Sequence, residues 1–129
     1  MLAIGKAAEL SGVNIETIRY YEREGVVPKP ERTVSGRRIY SKADIDRLRF
    51  IKRCRELGLP ICEAKSLLGL AGKKKLNCAS ARSIATDHLS VVRRKIVELG
   101  RMETALQNLI VQCEENDRNC PIIDELLAD

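Results

Sequence analysis

Cysteine is the residue type best equipped for chemistry in this 129-residue chain, and there are five of them. The stretch "CEENDRNC" sets Cys113 and Cys120 around six polar residues, four of them charged. Such a pair can be a disulfide staple, two buried apolar residues or part of a soft-metal site. Cys54 and Cys62 lie in helical patterns without a second ligand at a metal-like spacing, so both are expected to pack in the core. Cys78 stands at the head of a long helical pattern that Cys113 closes. At ~1.5 Å per residue a straight helix holds those two roughly 50 Å apart, too far to share an ion within one chain. If two such helices pair antiparallel, Cys78 of one subunit arrives beside Cys113 of the other. The expectation is two equivalent sites per dimer, each built from Cys113 and Cys120 of one chain and Cys78 of the partner subunit.

Three thiolates suit a soft divalent ion: Hg(II), Pb(II) or Cd(II), with Zn(II) the weaker fit because structural zinc usually takes four ligands. Cys120 precedes Pro121 and can cap a short helix "PIIDELLA". Cys78 and Cys120 would then both sit at positive helix ends, which favour a thiolate. Glu114, Glu115 and Asp117 read as solvated, with a carboxylate available as a fourth ligand for Cd or Zn. His88, the one histidine, is expected at an interface or on the surface and not as a ligand. A second chemistry stays open: a thiol sensor of oxidants or electrophiles with Cys113 and Cys120 as the reactive pair.

The elements that must position these residues begin with two short helical patterns broken at Ser11-Gly12. Ile4, Ala7, Ala8 and Leu10 fall on one face of the first. Asn14 can cap the second, with Ile15, Ile18 and Tyr21 inward and Gly25 ending it. This reads as a helix-turn-helix whose second helix turns Thr17, Arg19, Tyr20 and Arg23 outward, towards phosphates and base edges. Pro28 and Pro30 forbid a helix, and Arg38, Ile39 and Tyr40 can form a strand of a small wing with Arg37 and Arg38 near its tip. Ser41 with Asp44 makes a capping-box start for a helix through Ile45, Leu48, Ile51 and Leu57. Pro60 opens a further helix, and Lys73 to Lys75 read as a solvated loop. From about residue 80 to 113 an apolar seam runs through Ala85, Leu89, Val92, Ile96, Leu99, Met102, Leu106, Leu109 and Cys113. Its steps of three and four, with one slip near Gly100, are those of a coiled coil, so a second subunit is expected along it.

The fold class is therefore mainly α. A winged helix-turn-helix over residues 1–40 is followed by a helix pair over 41–77. A long antiparallel coiled-coil dimerisation helix spans 78–113, and a metal-binding loop with a short helix spans 114–129. Residues 1–58 hold 13 Lys and Arg against 8 Asp and Glu, so the whole net charge of +5 sits in the first half. A polyanion is the natural partner for that half, with double-stranded DNA the first candidate. No apolar run reaches the ~18 residues a membrane span needs, so a cytoplasmic protein with no membrane partner is expected. The absence of C-x-x-C and of strand–helix alternation argues against a thiol oxidoreductase, and no enzyme is expected.

The words "IGKAAELSGVNIETIRYYEREGVV", "SGRRIY" and "IKRCRELGLPICEAKSLL", in this order before the long helix, resemble the MerR family of transcriptional regulators. The resemblance covers essentially the whole chain. It implies DNA contacts at Thr17, Arg19, Tyr20 and Arg38, with Arg37 standing where that family commonly carries an aromatic residue. It also implies a homodimer that distorts promoter DNA on binding its effector, so that RNA polymerase can use the promoter. Sensors of divalent metals in this family have a cysteine where Cys78 stands, whereas the copper-sensing branch uses only the loop cysteines. By that resemblance the effector is a soft divalent ion, and the short loop is more like that of the cadmium and lead sensors.

Overall fold

A computed structural model describes residues 1–71, 78–113 and 120–129. In chain order the elements are α1 (Ile4–Ser11), α2 (Ile15–Arg23), β1 (Glu31–Arg32), β2 (Arg38–Ile39), α3 (Lys42–Glu56), α4 (Ile61–Ala71), α5 (Cys78–Gln112) and α6 (Pro121–Leu127). They fall into two compact units, Met1–Thr86 and Asp87–Asp129. Lys73 to Lys75, Glu114, Glu115 and Asp117 lie outside the described residues.

The first unit is built by local signals that close on one core. The Asn14 side chain accepts from the Thr17 amide at 2.8 Å and starts α2. Ser41 and Asp44 form a full capping box at the head of α3: Asp44 N–H donates to Ser41 Oγ at 3.1 Å, and Ser41 N–H to Asp44 Oδ2 at 2.9 Å. Replacing Ser41 with Ala should cost about 1 kcal/mol of stability, read as a lower urea midpoint at unchanged slope. Both α2 and α3 end in a left-handed glycine with paired return bonds. Gly25 (φ 72°) donates to Glu22 O while Val26 donates to Tyr21 O; Gly58 (φ 82°) donates to Arg55 O while Leu59 donates to Cys54 O. Each is a Schellman stop, with the residue after the glycine folding back onto the apolar side of its helix.

That second stop corrects one expectation. Leu57 is 70% exposed, and Leu59 takes the core position that the helical pattern assigned to it. The sharp turn at Gly58 carries Leu59 back towards Cys54, which is itself buried and extends the row of Ile45, Leu48 and Ile51. Leu10 is also exposed, and Ser11 is buried in its place. Ser11 Oγ accepts from the Val13 amide at 3.2 Å, so the expected break at Ser11-Gly12 is a hydrogen-bonded turn flanked by two buried residues. α1 packs on α2 and α3, and α3 on α4.

β1 and β2 form an antiparallel pair with Glu31 opposite Ile39 and Arg32 opposite Arg38. The turn between them is tied by Gly36 N–H to Thr33 O at 2.9 Å and by Arg37 N–H to Thr33 Oγ1 at 3.1 Å. An unanticipated bridge joins this wing to the start of the chain, with Leu2 and Tyr40 exchanging both backbone hydrogen bonds at 2.9 and 2.7 Å.

α5 is a single helix of 35 residues, about 52 Å long at 1.5 Å per residue. In its first half the less exposed residues are Ser80, Ala81, Ile84, His88, Val91 and Val92. His88 is buried, which overturns the surface alternative among its expected positions. It lies four residues after Ile84, on that stripe and one position off the Leu89 seam. The seam itself is open: Leu89, Ile96, Leu99, Met102 and Leu106 are all exposed. In α6, Ile123, Leu126 and Leu127 are exposed as well.

Candidate nucleic-acid interface and metal ligands

The recognition helix and the wing enclose a continuous basic cleft. One lobe, of about 570 Å³, is lined by Ala3, Ile4, Arg19, Arg32, Gly36, Arg37 and Arg38. The adjoining lobe, of about 290 Å³, is lined by Arg19, Glu22, Arg23, Lys29, Pro30, Arg32 and Arg38. Five arginines and a lysine thus face one concavity, the electrostatic footprint of a phosphate-binding surface. Of the residues expected from sequence, Arg19, Arg23, Arg37 and Arg38 all line it. Tyr20 is exposed on α2, with the Arg23 guanidinium 5.7 Å from its ring centroid. Thr17 is half-buried and its amide is engaged in the Asn14 cap, which leaves its hydroxyl as the group for any contact.

Two basic residues of this cleft escaped sequence reasoning. Arg32 projects from β1, and its Nη1 donates to Gly36 O across the wing turn at 2.9 Å. Lys29 sits between the two prolines that disqualified the segment from a helix. The signal for Arg32 was its alignment opposite Arg38, which needs the hairpin register to be known; Lys29 lies outside that register and carried no such signal.

Arg38 is not a freely swinging side chain. Its Nε lies 3.2 Å from Glu22 Oε2, and that carboxylate is 3% exposed. The contact is an ion pair off the hydrogen-bond axis. Glu22 Oε1 accepts from the Tyr40 hydroxyl at 2.6 Å. Burial, and then this donation to Glu22, push the Tyr40 phenol far above its ordinary range, so the group stays a donor. The phenol of Tyr21, the residue before Glu22, is also raised by burial, with Arg55 opposing.

None of the five cysteines forms a disulfide. Cys54 is buried, and burial pushes its thiol pKa up, as expected of a packing residue. Cys62 is exposed, which overturns its expected place in the core: Ala64 is the buried residue of α4, and Cys62 lies two positions, or about 200° of helix, away from it. Cys78 is the first residue of α5 and is exposed. Cys113 immediately follows α5, exposed, with its amide donating to Ile110 O at 3.1 Å. Cys120 is half-buried at the N-cap of α6 ahead of Pro121, and its thiol makes no capping hydrogen bond. Among the described residues, no three Cys, His, Asp or Glu side chains of one chain stand together. No helix of the described residues is long and apolar enough to cross a membrane.

Residues 2–70 match the family described as "MerR HTH family regulatory protein", and residues 45–109 match the one described as "MerR, DNA binding". The chain belongs to the MerR family. A mercuric resistance operon regulatory protein of Bacillus cereus is 44% identical to it over 126 residues, covering 96% of each chain. Among solved MerR-family structures, the regulator PbrR691 from Ralstonia metallidurans CH34, in complex with lead(II), superposes with a TM-score of 0.82 at 32% identity, covering 98% of this chain and 99% of that one. The Bacillus megaterium MB1 regulator in complex with mercury(II) gives 0.75 at 37% identity, covering 98% and 100%. The helix-turn-helix, two-stranded wing and long C-terminal helix described above are the MerR-family architecture.

Proposed function

We propose that this chain is a metal-responsive transcriptional regulator of the cytoplasm. As a homodimer it grips promoter DNA with the α2–wing cleft, and it binds a soft divalent ion through Cys113, Cys120 and Cys78 of the partner subunit. The observation that carries the reading is the placement of exposed thiols at the two ends of one long helix, with the third cysteine at the N-cap position of the next helix. Three cysteines outside the core, none engaged in a disulfide, form a donor set that fits Hg(II), Pb(II) or Cd(II). The relatives support that class, since their names and bound ions concern mercury and lead. When bound, the ion would supply a charge-compensated cross-link between the end of one α5 and the head of the other. This chain's part is to hold thiolates at those ends and to transmit their spacing to two DNA-binding units. Distortion of the bound promoter, at an energetic cost set by its sequence, is the proposed route to RNA polymerase.

The test is a titration under reducing conditions with Hg, Pb, Cd, Zn and Cu(I), paired with in-vitro transcription from a promoter the protein binds. One soft divalent ion per subunit and transcription that rises with it are expected. A Cys113–Cys120 disulfide that alters transcription, without affinity for any of these ions, would instead establish an oxidant sensor.

A further inference from the structure

We propose that Glu22 is a positioning residue for DNA recognition: its buried carboxylate clasps Arg38 and Tyr40 of the wing to the recognition helix, fixing the cleft's geometry at the expense of its charge. This rests on the reading of the α2–wing cleft as a DNA-binding surface.

A side-chain carboxylate that is 3% exposed is costly unless it is both paired and hydrogen-bonded. Glu22 has each kind of partner, and both come from the same short stretch of the wing. Tyr40, 2% exposed, donates its hydroxyl at 2.6 Å, and Arg38 lies at 3.2 Å. Tyr40 is itself anchored through its backbone to Leu2. The carboxylate therefore joins α2, the wing and the chain's first residues at one point. Arg38 lines both lobes of the cleft, so whatever fixes Arg38 fixes a donor in each. Its Nε is committed to Glu22, which leaves the rest of the guanidinium fork to face a ligand in a set orientation.

An electrostatic role alone predicts the opposite of a positioning role. The cleft already carries Arg19, Arg23, Lys29, Arg32, Arg37 and Arg38, and among the described residues Glu22 is the single acid lining it. Glu22→Gln keeps the side chain's size and an acceptor for Tyr40, and it adds one net positive charge. By charge alone it should bind every DNA more tightly with a steeper salt dependence. If Glu22 positions the wing, affinity for a preferred sequence should fall about tenfold or more, because the buried ion pair that holds Arg38 is broken, while affinity for arbitrary DNA stays level or rises.

The probes are a duplex selected from a random pool by the wild-type protein and a scrambled duplex of equal length, measured at several salt concentrations. The expected result is a reduced selected-to-scrambled affinity ratio for Glu22→Gln and, to a smaller extent, for Tyr40→Phe. A folded Glu22→Gln protein with a wild-type or larger ratio overturns the inference. If circular dichroism shows that Glu22→Gln does not fold, Tyr40→Phe decides, and an unchanged ratio there overturns it. A wild-type protein that selects no sequence and binds neither duplex removes the DNA-binding reading itself, and the inference falls with it; that failure is distinct from a loss confined to the variants.

Discussion

Cys78→Ser subunits mixed with Cys113→Ser subunits should recover metal binding that neither variant has by itself. Each homodimer lacks one ligand from both of its proposed sites. Second-shell changes alone cost 10–100-fold in metal affinity, so loss of a direct thiolate should weaken binding by at least about 100-fold. In a heterodimer the two lesions fall in the same site. The other site keeps Cys113 and Cys120 from the Cys78→Ser chain and Cys78 from the Cys113→Ser chain. Random mixing by two-fold symmetry should then restore ~25% of wild-type sites. The geometry behind this is the length of α5, which begins at Cys78 and ends one residue before Cys113. Equilibrium titration of the mixture against each variant alone checks it. No recovery after verified subunit exchange would mean that the site does not cross between chains. Retention of full affinity by Cys78→Ser alone would mean that the ion is held by the loop cysteines.

Legibility from sequence followed the range of the interaction. The Asn14 cap, the Ser41–Asp44 box and the Pro121 start are contacts between residues at most three apart, and each is where the residue types placed it. Periodicity found the faces of α2 and α3 for the same reason. It failed at helix ends, where a left-handed glycine reverses the chain: Leu57 continued the pattern on paper, but Leu59 is the residue that Gly58 returns to the core. It also failed for Cys62, since hydrophobic character alone does not say which side of α4 faces α3. The burial of His88 was not legible because α5 has two stripes, Ala81–Ile84–His88 and the open seam beginning at Ala85, and one helical phase cannot describe both. Most consequential for the site, Glu22 reads as a surface charge within "YYEREG". Its two partners lie 16 and 18 positions away across a turn, and only the folded hairpin brings them to one carboxylate.

Leu99→Glu, alone or with Leu106→Glu, is expected to convert the protein to a monomer and to abolish useful DNA binding. Both residues are about 60% exposed in the single chain, at 62% and 59%. Neither supports the core of its own subunit, which separates these substitutions from a change such as Ile51→Ala, where a fully buried side chain is lost and about 2–5 kcal/mol of folding stability with it. An exposed leucine in a row with Leu89, Ile96 and Met102 gains its free energy by covering that row with a second copy. Glutamate at the centre of such an interface would be an unpaired buried charge, among the most damaging changes an interface can receive. The midpoint of the row is also where the apolar steps slip, at Gly100. Beyond the helix's own backbone and the adjacent residues, nothing would lie within 4 Å of a side chain at this position, so the single chain leaves open space beside it. Loss of the dimer uncouples two DNA-binding units, and the affinity gained by linking them, roughly 10²–10⁴-fold, should go with it. Analytical ultracentrifugation and operator binding on the same samples check both parts. A variant that remains a dimer with wild-type affinity would place the subunit contact on another face of α5, and with it would move the partner's Cys78 away from Cys113.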